Sequence, residues 1–94
     1  MGEIDARLAA LAERFAAQAA ETGVAIEDSL ERGDRAELSR LSHSLAGRAG
    51  MFGYGAIGDA ARAVEEAIDA GRSPDDVKGL TRDLLGQLGA MNGR

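Results

Sequence analysis

The sequence contains no cysteine, no tryptophan, one proline and one histidine among 94 residues. Without cysteine there are no disulfides, no thiol catalysis and no thiolate zinc site. A single histidine leaves any metal to carboxylates, and these form no recognisable ligand spacing, so no metal or cofactor of its own is expected. Aromatic residues make up only 3% of the chain while hydrophobic residues reach 45%. That balance, rich in alanine, disfavours a sheet-built core and favours helices packed through short side chains. No run approaches the roughly 18 apolar residues of a membrane-spanning helix. The opening Met1-Gly2-Glu3-Ile4-Asp5 is too acidic and broken for a secretion signal, so a cytoplasmic protein without a membrane partner is expected. Sixteen acidic residues against eleven basic ones give a net charge of −5. With no basic block, a nucleic-acid partner is disfavoured, because neutralising phosphates dominates that affinity.

What is present is helical periodicity. The length suits one hydrophobic core, read as a single domain over residues 1-94. Ile4, Leu8, Leu11, Phe15, Ala19, Ile26 and Leu30 follow steps of three and four, with Thr22 on the same stripe. Gly23 costs roughly 1 kcal/mol inside a helix, leaving open one long helix or two meeting near Thr22 and Gly23. Gly33 supplies a stop, and Asp34 with Glu37 makes a capping-box-like start for the next unit. Leu38, Leu41, Leu45, Ala49 and Phe52 form its apolar stripe, and Gly53-Tyr54-Gly55 ends it. Ile57, Ala61, Val64 and Ile68 define a third unit ending at Gly71. Ser73-Pro74-Asp75-Asp76 then opens a fourth along Val77, Leu80, Leu84, Leu88 and Met91, weakened by Gly79, Gly86 and Gly89. Four amphipathic units with short connections predict an all-α antiparallel four-helix bundle, up-down-up-down, with an extra or kinked N-terminal helix as the open point.

The lone histidine stands out against this background. At about 100° per residue, His43 falls roughly 160° from the centre of the second stripe and faces solvent. Ala36, Ser39, Arg40, Ala46, Gly47 and Gly50 lie within about 60° of it, a low floor from which an imidazole would project. Gly47 and Gly50 each give up roughly 1 kcal/mol of helix stability, consistent with close approach of another molecule or of the next helix. Imidazole is largely neutral at pH 7, so a ring nitrogen can act as a nucleophile without a dedicated base and accept a phosphoryl group. No nucleotide-binding loop or magnesium-binding constellation accompanies it, so a partner must bring the rest of the machinery.

Two other patterns are set aside. Gly53-Tyr54-Gly55-Ala56-Ile57-Gly58 spells a dinucleotide-binding fingerprint but follows a helix rather than a strand. Glu65-Glu66 and Asp75-Asp76 are adjacent carboxylates that point in different directions on a helix, so a solvated face or a cap accounts for them.

The run His43-Ser44-Leu45-Ala46-Gly47, followed by Ala49-Gly50-Met51-Phe52-Gly53 and the helix bearing Ala60-Ala61-Arg62-Ala63-Val64-Glu65, resembles histidine-containing phosphotransfer (HPt) domains. Their common pattern is His-x-Leu-Lys-Gly, then a glycine-containing turn and an Ala/Leu/Glu-rich helix. The resemblance implies a four-helix bundle in a two-component phosphorelay, carrying phosphate on His43 between receiver domains of response regulators or a hybrid histidine kinase. It implies a phosphocarrier without its own ATP site, with Mg²⁺ on the partner receiver, docking over Ser39, Arg40, Ala46, Gly47 and Gly50. A monomer is expected. One position departs from the pattern: the usual lysine is Ala46 here. Arg40, one turn before His43, is the leading replacement, with Arg48 and Arg62 as weaker candidates. Ala46 also sustains a competing reading, a non-catalytic HPt-like module that binds a receiver or kinase without carrying phosphate.

Overall fold

The computed structural model describes residues 2–92, with side chains for residues 6–91. Four helices account for the described chain: α1 (Gly2–Arg32), α2 (Arg35–Met51), α3 (Gly55–Asp69) and α4 (Pro74–Asn92). Each helix packs on its neighbour in sequence and α1 packs on α4, closing a ring, while the backbones of diagonal pairs stand farther apart among the described residues. This is the expected all-α four-helix bundle.

The connections are short because α1, α2 and α3 are each closed by the same local device. Gly33 has φ 70°; its N–H donates to Leu30 O, and the N–H of Asp34 donates to Ser29 O. Gly53 and Gly71 repeat the pattern at φ 83° and φ 70°, with Tyr54 bonded to Ala49 O and Arg72 to Ala67 O. These paired bonds satisfy the last carbonyls of a helix, and their left-handed residue is glycine because a Cβ would clash there. Asp34 serves two helices at once. Its backbone N–H closes α1, and its Oδ1 accepts the Glu37 N–H at 3.1 Å to open α2. The capping box is therefore half formed: Ser29 already holds the Asp34 N–H, and the Glu37 carboxylate turns to Arg40 instead. At α4, Ser73 Oγ accepts the Asp76 N–H at 3.1 Å, as the sequence predicts.

Gly23 interrupts nothing. It is buried, and a Cβ there would lie 3.5 Å from Leu88 Cδ1, so the glycine faces α4 and α1 runs through as one helix. Its 31 residues extend about 46 Å against about 25 Å for the 17 of α2. The molecule accordingly measures 48 × 22 × 18 Å. This length changes the fate of the first stripe: the apolar spacing runs from Ile4, but Leu8 and Leu11 remain exposed and the α1 core positions begin at Phe15. The other helices are too short to cover those first turns. The side chain of Ile4 lies outside the described residues.

From Phe15 onward the stripes converge as predicted. Ile26, Leu38, Leu45, Ala49, Ile57, Ala61, Val64, Val77, Leu84 and Leu88 form one core. All three aromatics gather at one end of it, where Phe15 stacks on Tyr54 at 5.1 Å between ring centroids and meets Phe52 at 5.5 Å. They tie the α2–α3 turn to α1, and such pairs add about 1 kcal/mol each beyond area burial.

Among the glycines, Gly58 has the closest neighbours on another helix. It is buried, and a Cβ there would lie 3.4 Å from Ala46 O, 3.6 Å from Gly50 N and 3.7 Å from Ala49 Cβ. A methyl group just fits, but anything larger meets backbone. Gly58→Ala is expected to change stability by less than about 1 kcal/mol, because improved helix propensity offsets the tight contact. Gly58→Val is expected to cost about 1–3 kcal/mol by forcing α3 off α2. Urea denaturation of both variants checks the pair; equal stability for the two would show that the helices are not held this close.

Candidate functional site

His43 projects from the middle of α2, where the core stripe of Leu38, Leu45 and Ala49 fixes the opposite face inward. Its side chain is 76% exposed. The small residues around it divide by depth. Gly47 and Gly50 are exposed, and a Cβ at either would meet nothing within 4 Å. Ser39 is half-buried, and Ala46 is only 6% exposed, so Ala46 forms the floor against α3 rather than part of the rim. The close helix contact passes over the backbone of Gly50, but the residue that permits it is Gly58, the last glycine of the fingerprint-like string.

One neighbour of His43 was not legible in the sequence. His43 Nδ1 lies 2.7 Å from Glu65 Oε2 on α3, and that carboxylate is only 23% exposed. Glu65 is thus no solvated helix face. A carboxylate oxygen accepts, so Nδ1–H donates, and the neutral ring is held as the tautomer whose Nε2 carries the free lone pair. The register explains the meeting. Gly58 to Glu65 is seven residues along α3, and Gly50 to His43 is seven back along α2, two turns on the same faces of antiparallel helices. The contact at Gly58 therefore sets the spacing at which Glu65 reaches the imidazole.

Beside the ring is a cleft of about 380 Å³ lined by His43, Ala46, Gly47, Arg62, Glu65, Glu66 and Asp69. Among the three arginines considered from sequence, only Arg62 lines it. Arg40 is exposed but gripped by Glu37, Nε to Oε1 at 2.9 Å and Nη2 to Oε2 at 2.6 Å. That two-pronged bond raises the Arg40 pKa and holds Glu37 below the usual carboxylate range. Arg48 leans to α1, with Nη1 donating to Gln18 Oε1 at 3.3 Å. A larger recess of about 440 Å³, with Leu38, Val77 and Ser29 among its lining, lies where α1 joins α2 and α4 begins; it does not include His43. Among the described residues, no group of three or more histidines and carboxylates could hold a metal ion. No helix among them is long and apolar enough to cross a membrane.

An exposed imidazole oriented by a carboxylate, on a floor of small residues, is an arrangement for accepting a group delivered from outside. Residues 10–92 match the family model of the Hpt domain. The chain belongs to the Hpt domain family. Comparisons with curated proteins and with solved structures return no match. Hpt domains are phosphotransfer modules of two-component signalling that interact with receiver domains, and the bundle described above is the helical scaffold such a module requires.

The site generates two predictions about stability. A methyl group on Gly47 meets open space, so Gly47→Ala is expected to raise stability by about 0.5–1 kcal/mol, read from the denaturation midpoint. A loss instead would mean that the glycine has a structural task in this Hpt domain. The Glu37 carboxyl titrates lower in the folded chain than its ordinary value. Its contribution is therefore present above the ordinary carboxylate range and disappears as pH falls through the depressed folded value. Glu37→Gln should remove that acid-side slope from a plot of stability against pH, and an unchanged slope would exclude the ion pair as its source.

Proposed function

We propose that this chain is a phosphohistidine carrier, taking a phosphoryl group onto His43 from the aspartate of one receiver domain and passing it to another. The observation that carries this reading is the Nδ1–H···Oε2 bond from His43 to Glu65, which leaves Nε2 unencumbered on a side chain that is 76% exposed. The Nε2 lone pair attacks phosphorus, the N–P bond forms, and the bond to the aspartyl oxygen breaks with its electron pair left on the carboxylate. The ring becomes an N-phosphoimidazolium whose remaining proton stays on Nδ1, facing Glu65. Attack by the carboxylate of a second receiver reverses the sequence and returns the electron pair to Nε2. No proton is gained or lost by the carrier in either direction. Mg²⁺ belongs to the receiver, which brings it together with the aspartate.

Docking over Ser39, Arg40, Ala46, Gly47 and Gly50 lets the receiver close on the ring, since the exposed glycines raise no barrier beside it. The same reading sets the module in the cytoplasm as a monomer meeting receivers of response regulators or of a hybrid kinase.

Incubation with a phosphorylated receiver and Mg²⁺ should place acid-labile phosphate on the wild-type chain and none on His43→Gln. Binding without label would favour the non-catalytic module, and label retained in His43→Gln would rule out His43 as the acceptor. Glu65→Gln keeps an oxygen that accepts from Nδ1 but loses the charge that strengthens the bond by about 1 kcal/mol, so transfer should slow about fivefold. Single-turnover rates measure this; a wild-type rate would reduce Glu65 to a bystander.

A further inference from the structure

We propose that Arg62 supplies the positive charge that the pattern lysine would otherwise bring, contacting the phosphoryl oxygens while the group is on His43. This rests on the carrier reading and identifies a further residue of that site. Arg62 and Glu65 are three residues apart on α3, hence neighbours on one face with their Cβ atoms about 5–6 Å apart. Glu65 touches His43, and Arg62 lines the same cleft. The competing arginines are occupied: Arg40 by both oxygens of Glu37, and Arg48 by Gln18 on the far side of α2. Arg62 has a single loose contact, Nη1 to Asp59 Oδ1 at 3.4 Å, with the two side chains 56% and 82% exposed. Leaving that contact costs little, because exposed ion pairs of this kind contribute less than about 1 kcal/mol.

The charges around the ring give Arg62 its weight. The cleft holds three carboxylates, Glu65, Glu66 and Asp69, and Arg62 is its one guanidinium or ammonium among the described residues. Glu65 is directed to Nδ1, across the ring from Nε2, whereas the Glu66 and Asp69 carboxylates have no hydrogen-bond or ion-pair partner among the described residues. A phosphoryl group arriving at Nε2 brings further negative charge into this surround. Without Arg62 every fixed charge lining the cleft would repel it. A guanidinium also suits the task by shape, since its fork matches two phosphoryl oxygens at once.

The test compares Arg62→Ala, Arg62→Lys and Arg40→Ala in single-turnover transfer from a phosphorylated receiver, and in the ³¹P resonance of chain labelled at His43 with phosphoramidate. Arg62→Ala should slow transfer about tenfold or more and move the phosphohistidine resonance. Arg62→Lys should recover part of the rate, and Arg40→Ala should slow transfer less than Arg62→Ala and leave the resonance in place. Circular dichroism should show all three folded, as both arginines are exposed. Wild-type transfer with an unmoved resonance in Arg62→Ala would overturn the assignment, as would a loss carried by Arg40→Ala instead. Failure of phosphoramidate and receiver alike to label wild-type His43 would overturn the carrier reading itself, a separate result.

Discussion

The functional end of this molecule depends on how closely α3 can approach α2. A glycine at position 58 lets the helices come together where Ala46, Ala49 and Gly50 present small side chains or bare backbone. Two turns further on, that spacing brings a carboxylate on one helix to the imidazole on the other. A wider hairpin would leave His43 as a freely rotating solvent-exposed ring. Packing and chemistry are thus coupled through register, and a single Cβ regulates both.

The same closeness bears on the departure from the family pattern at position 46. Ala46 is 6% exposed and its carbonyl abuts Gly58. Its side chain also lines the cleft beside His43, where a lysine would bring its ammonium. Alanine brings no charge there, and the facing helix carries an arginine one turn before the carboxylate bonded to the ring. On the proposed reading, orientation and charge both come from α3, and α2 contributes the nucleophile and a surface low enough to let a receiver reach it.

Much of this was legible in the chain itself. The bundle followed from period and punctuation: apolar steps of three and four, Gly33, Gly53 and Gly71 as stops, and Ser73-Pro74 as a start. The solvent-facing position of His43 followed from helical phase alone. What did not follow were relations between helices. Glu65 looked like half of a solvated acidic pair because helical phase within α3 says nothing about what stands opposite on α2. Arg40 looked nearest to His43 for the same reason in reverse: along one helix it is close, but Glu37 sits at the right spacing to hold it. Gly58 was hidden in a fingerprint-like string whose letters drew attention to nucleotides. The exposure of Leu8 and Leu11 depended on the length of α1 relative to its neighbours, which periodicity does not report.

The ring of four helix contacts has a bearing on how the chain reaches this state. Three of the four seams join consecutive helices across tight turns, and only the α1–α4 seam, where Gly23 meets Leu88, joins remote parts of the chain. Such a topology has low contact order, the class of fold that forms in microseconds to milliseconds. The hairpin that carries His43 and Glu65 is one of the local seams. Its two helices need no remote segment to find each other, so the residues proposed to handle phosphate are brought together by a short-range closure.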